Sequence, residues 1–144
     1  MKKIFLLYIS LLVISCNKRT IILRQNKNEY TKIEINEFNK IVSIKKIKND
    51  SLFGQSLFFN KDKRIEYVFH YHKNYLDGIN LCIYPSGFID SYYLYKNGLA
   101  QGNAYNLKDS IIIQPKNFYI FKNNKIIYKK IYNTTGELIN VENY

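Results

Sequence analysis

Two histidines, two cysteines and one serine-lysine spacing are the residues of this 144-residue chain that could do chemistry. His70 and His72 stand in Phe69-His70-Tyr71-His72. On an extended strand residues i and i+2 point the same way, so the pair would offer two imidazoles to one metal, opposite a face made by Ile65, Tyr67, Phe69 and Tyr71. A zinc site needs further ligands, and only Glu66 is at hand on that side, so the pair reads as solvated or hydrogen-bonded histidines with no metal. Cys82 lies in the alternating run Ile79-Asn80-Leu81-Cys82-Ile83-Tyr84. A nucleophilic thiol would need a His and an Asn or Asp arranged around it, a part that His70 or His72 could take; the plainer reading is a small buried hydrophobe. Ser43-Ile44-Lys45-Lys46 has the Ser-x-x-Lys spacing without the partner motifs that give it meaning. The chain holds no Gly-x-Ser-x-Gly, His-Glu-x-x-His, Cys-x-x-Cys or Gly-rich phosphate loop. It reads as a non-enzyme that uses no cofactor.

The remaining reactive group is Cys16, which stands where an apolar run stops. Met1-Lys2-Lys3 is a short positive end, Ile4 to Ile14 is apolar apart from Ser10, and Ser15 is small. That order is the layout of a secretory signal, and the run is shorter than the roughly 20 residues that span a bilayer. Val13-Ile14-Ser15-Cys16 resembles the lipobox of bacterial lipoproteins. The resemblance implies that residues 1–15 are removed and that Cys16 carries the lipid, its thiol forming a thioether to a diacylglycerol. One acyl chain anchors only marginally, whereas several hold stably. Asn17-Lys18-Arg19-Thr20 lacks the acidic residues that resemble a surface-export signal, so the expected location is the cell envelope, lipid-anchored in the outer membrane and facing the periplasm.

The chain carries a formal charge of +11, which raises the question of an acidic partner. Ile, Lys, Asn and Tyr dominate while Arg is scarce, Pro numbers 2 and Trp is absent, the bias that A+T-rich codons impose. An interface built for phosphate would recruit Arg for its planar fork. Scarce Arg and export both exclude nucleic acid. With Cys16 acylated, only Cys82 remains, so no intrachain disulfide forms and the fold must stand on its own packing.

Residues 16–29 read as a lipidated tether containing at most one short strand, and 30–144 as a single β-rich domain. Tyr30 to Phe38, Ile41 to Ile47, Ser51 to Phe59 and Arg64 to His72 are short runs rich in Ile, Phe, Tyr or Val. Asn39 to Asn49 is the one stretch that would also pass as a short helix. Turn signals fall at 60–63, 76–78, 85–87, 96–98, 122–125 and 134–136, several with a Gly that supplies positive φ. The expected fold is all-β, an antiparallel meander of short hairpins.

Within it, Tyr84-Pro85-Ser86-Gly87-Phe88-Ile89 is followed by Tyr95-Lys96-Asn97-Gly98 and then Gly102 and Tyr105. Phe121, Ile126 and Tyr132 repeat part of that spacing. The pattern resembles degenerate MORN repeats across residues 59–140, with Asn124 where the second unit would have Gly. The resemblance implies stacked hairpins and a scaffold for protein or lipid interaction, and some such proteins are labelled antitoxin-like.

Tyrosine is the chain's unusual investment, with 14 copies. Tyr92, Tyr93, Tyr95 and Tyr105 are the candidate binding residues, alternation sending Tyr92 to the face opposite Tyr93 and Tyr95. The function expected is a membrane-anchored binding or scaffold module that meets another envelope protein. The alternatives are a basic module for anionic lipid or polysaccharide, using Lys40, Lys45, Lys46 and Lys48 or Lys122, Lys125, Lys129 and Lys130, and an immunity-like partner of a toxin.

Overall fold

The structure, a computed structural model, describes residues 18–109 and 114–144. The signal segment and Cys16 lie outside the described residues. Twelve strands follow in order: β1 (Arg19–Arg24), β2 (Glu29–Ile35), β3 (Ile41–Lys48), β4 (Ser51–Phe59), β5 (Ile65–His72), β6 (Tyr75–Leu76), β7 (Gly78–Ile83), β8 (Ile89–Lys96), β9 (Leu99–Leu107), β10 (Pro115–Lys122), β11 (Lys125–Tyr132) and β12 (Leu138–Asn143). The fold is all-β and every pairing is antiparallel, each strand lying beside its neighbour in sequence except where β7 pairs with β5 past the short β6. The two-residue β6 pairs with β5 just ahead of β7. Extensive contacts join only strands adjacent in the sheet, so among the described residues no second layer covers it.

The first strand falls inside the segment expected as tether: Arg19–Arg24 pairs along its whole length with Tyr30–Ile35. Asn39–Asn49, which would have passed as a short helix, supplies β3 instead. Its Ile, Val and Ser side chains fit a pleated surface, and Asn39 and Asn49 take the positive φ of turns (57° and 49°).

A repeat emerges from the turns. At one end of the sheet, five-residue turns begin at Asn36, Asn60, Tyr84 and Asn133, each closed by an N–H of its first residue donating to the carbonyl of its fifth: Lys40, Arg64, Phe88 and Glu137. The steps from 36 to 60 and from 60 to 84 are both 24 residues. The fourth residue is left-handed in every case: Asn39 (57°), Lys63 (65°), Gly87 (98°) and Gly136 (91°). Where the turn starts with Asn, its side-chain oxygen also accepts two backbone N–H groups, as Asn60 does from Asp62 (2.9 Å) and Arg64 (3.1 Å). A bulge follows each of these turns, so that Ile41, Ile65, Ile89 and Leu138 sit directly opposite Ile35, Phe59, Ile83 and Tyr132. That places Ile65 with the histidine side of β5 rather than with Tyr67, Phe69 and Tyr71.

At the other end, after the longer β1–β2 turn at 25–28, the turns are two-residue, at Asn49-Asp50, Lys73-Asn74, Asn97-Gly98 and Asn123-Asn124. Both residues have positive φ in each, the twist that matches flanking strands. The Asp77-Gly78 signal is not a turn: Asp77 N–H donates to the His70 carbonyl (2.9 Å) within the β6–β7 interruption. Gly54, Gly78 and Gly102 recur there at φ 71°, 106° and 66°, opposite Tyr71, Tyr95 and Phe121.

The register divides the side chains between two faces. One carries an unbroken cross-strand row, Ile21, Ile33, Ile44, Leu57, Val68, Leu81, Tyr92, Tyr105 and Phe118, ending on Lys130 and Val141. The other buries small groups beneath aromatic rings. Ser43, Ser56, Asn80, Ser91, Ala100 and Ala104 are all buried there, under rings such as Phe58, Phe69, Tyr93 and Phe121. Direct cross-strand pairs of this kind each contribute about 0.2–1 kcal/mol, and a sheet without a second layer depends on their number.

Candidate interaction surface

The four candidate tyrosines fall into two pairs. Tyr92 and Tyr105 face each other across β8 and β9 with ring centroids 5.0 Å apart, and Tyr105 continues onto Phe118 at 4.8 Å, all in the aliphatic row. Burial and the neighbouring Tyr105 push the Tyr92 phenol above its ordinary range. Tyr93 lies on the opposite face, edge-on to Phe121 (6.1 Å), and its hydroxyl donates to Asn106 Oδ1 at 3.0 Å. Burial raises the pKa of this phenol as well. Tyr95 shares that face, opposite Gly78 on β7 and Ala100 on β9. All four are half-buried, so each packs and also shows part of its ring.

The histidines do not converge. The backbone N–H of His70 donates to the buried Asn80 Oδ1 (2.8 Å) and its Nδ1 lies against the Ile79 carbonyl, while His72 packs on Phe53 (centroids 5.4 Å). Among the described residues no group of three or more His, Cys, Asp or Glu could hold a metal. Cys82 is half-buried and pairs with Tyr67 and Ser91. Ser43 is buried, with its hydroxyl donating to Glu34.

Glu34 has the most perturbed electrostatics. Burial alone would raise its pKa, but hydrogen bonds from Lys32, Lys45 and Ser43 and the Lys45 charge overcome that and lower the pKa to about 2. Lys45 completes the contact by lying over Phe58, 5.6 Å from the ring centroid.

The exposed apolar area belongs mostly to the face of the aliphatic row. Ile21, Leu23, Phe53, Ile79, Leu94 and Leu99 are all exposed, and register places each on that side. Ile79 and Leu94 face each other directly, at 53% and 40% exposure.

The lysines named in the sequence divide as well. Lys45 and Lys129 are on the small-residue face in ion pairs with Glu34 and Glu142, whereas Lys46, Lys48, Lys122, Lys125 and Lys130 are on the apolar face. Lys40 belongs to neither, since its Nζ donates to the Lys61 carbonyl and ties one five-residue turn to the next. Sequence reasoning missed the level of Lys48, His72, Lys96 and Lys122, each the residue just before a two-residue turn; the spacing 48, 72, 96 would have disclosed it.

Compared with known proteins, the chain matches no family model and no curated protein.

Proposed function

We propose that this chain is a lipid-anchored, non-catalytic binding module of the bacterial envelope, held through Cys16 and meeting its partner with one face of a hairpin-repeat sheet. The observation that carries the reading is the unpartnered apolar face. Monomeric proteins seldom leave more than a few hundred Å² of contiguous apolar surface open, and such a patch marks an interaction site. Here it runs from Ile21 on β1 to the Tyr92-Tyr105-Phe118 stack, with Ile79 and Leu94 exposed between. The 24-residue recurrence of left-handed positions, 39, 63 and 87 at one end and 50, 74 and 98 at the other, supports the MORN-like reading, because Asn, Asp and Lys there do what Gly does in the unit at Tyr84.

Two measurements test it. Cys16→Ser should move the protein from the membrane fraction to the soluble one; retention in the membrane overturns the anchor. A photo-crosslinking residue at Ile79 or Leu94 in intact cells should give a defined protein adduct that the same residue at Lys32, on the other face, does not. Equal adducts from both faces overturn the assignment of the surface.

A further inference from the structure

The repeat places one cation or imidazole at the same level of every second strand. Lys48 ends β3, His72 ends β5, Lys96 ends β8 and Lys122 ends β10, all exposed and all on the apolar face. Neighbouring strands lie about 4.8 Å apart, so successive members of the row are about 10 Å apart. Between them stand exposed apolar groups: Phe53, on which both the Lys48 ammonium (5.4 Å) and the His72 ring (5.4 Å) lie, then Tyr75 at 61% exposure, then Leu99 opposite Lys96. The charges are only partly answered within the chain. Lys48 pairs with Glu29 at 2.6 Å, Lys96 is 3.7 Å from Asp77 while its side chain is 70% exposed, and Lys122 faces Lys125 directly across the hairpin. Neither Lys122 nor Lys125 makes an ion pair among the described residues. Like charges directly opposite destabilise a sheet, and an anion bound between them removes that repulsion.

We propose that this strip seats a linear acidic polysaccharide with one carboxylate for every two sugars. Two pyranose rings in an extended chain span the distance from one hairpin to the next, so each disaccharide would lay the apolar side of a ring on Phe53, Tyr75 or Leu99. Each carboxylate would then meet Lys48, Lys96 or the Lys122-Lys125 pair, with His72 as a hydrogen-bond donor. The proposal rests on the binding-module reading and names the ligand class for one margin of its face.

The full chain in neutral detergent, titrated with a hyaluronan octasaccharide, alternating glucuronate and N-acetylglucosamine, should bind saturably. Lys96→Gln with Lys122→Gln should weaken it about tenfold, since two exposed ion pairs are lost. Lys130→Gln, on the same face but away from the strip, should leave it unchanged, and Lys96→Arg with Lys122→Arg should retain it. Melting transitions as cooperative as the parent's, at or above its melting temperature for the variants that lose Lys122, establish that the variants are folded. Equal binding of an uncharged chitin oligomer overturns the proposal. So does polyphosphate or a phosphatidylglycerol vesicle that competes at the same lysines more strongly than the saccharide. Cys16→Ser should bind the octasaccharide like the parent, so failure here leaves the fractionation and crosslinking results for the module reading standing.

Discussion

The side-chain oxygen of Asn124 accepts the backbone N–H of Ala100 at 2.6 Å while the Asn124 N–H donates to the Ala100 carbonyl at 3.1 Å. One hairpin turn thereby clasps the start of the preceding hairpin's return strand. Asn74 does the same to Leu52, at 2.7 and 3.1 Å. In the unit between, Gly98 keeps the backbone half of the clasp, donating to Leu76 at 2.8 Å, and has no side chain for the other half.

Asn124→Ala should therefore destabilise the protein by about 1–3 kcal/mol, because it orphans the N–H of the buried Ala100 and puts a residue with little tolerance for left-handed φ at 65°. Asn124→Gly, which relieves the φ and loses only the side-chain bond, should cost less. Thermal melts of the two variants check the order.

Lys63 and Gly87 occupy the same place in successive five-residue turns, at φ 65° and 98°. Lys63→Gly should raise stability by up to about 1 kcal/mol, and Gly87→Val should lower it by about 1–3 kcal/mol. No atom crowds a Cβ at Gly87, so its penalty would be conformational alone. Unchanged melting temperatures in both variants would contradict the repeat.

Glu34 titrates in the folded protein near 2 against 4.5 for the ordinary group. A carboxyl whose folded pKa is depressed contributes stability above its unfolded pKa and loses it as pH falls toward the folded value. The window thus runs from about pH 5 down to about pH 2, and partial exposure screens the effect to about 1–2 kcal/mol. Glu34→Gln should flatten that part of the stability profile measured by denaturant melts at each pH.

Tyr105 links Tyr92 to Phe118. Tyr105→Ala should cost about 2–4 kcal/mol and weaken partner adducts at Leu94, while Tyr105→Phe should preserve both. A Tyr105→Ala variant that melts normally but loses the adduct would make the ring a contact rather than a packing residue.

Most strands were legible because alternation and β-branched or aromatic residues mark them, although β1 fell in the expected tether and β3 would also have passed as a helix. The turns at Tyr84 to Phe88 and Asn97-Gly98 were legible because glycine marks left-handed backbone. The repeat was hidden by substitution at those same positions. Lys63 and Lys73 adopt positive φ with no signal in their side chains, Asp50 and Asn74 do so without glycine, and Asn124 does so where the second unit would have Gly. Spacing misled as well. Tyr84 opens a turn at one end of the sheet and Phe121 leads into a turn at the other, so their shared step of five to an Ile does not join equivalent places. The side taken by Tyr105 follows from its pairing with Tyr92 across β8 and β9, a register that alternation along one strand does not reveal.

Because, among the described residues, extensive contacts join each hairpin only to the hairpins beside it and each carries its own turn chemistry, the sheet has no centre that a change of length would disrupt. Residues 60–83, from the start of one five-residue turn to the start of the next, make up one such unit. Copying it between Ile83 and Tyr84 would lengthen the ribbon by two full-length strands and the short β6 between them, with both faces in phase, so the length of the ribbon is a property this architecture adjusts by counting units.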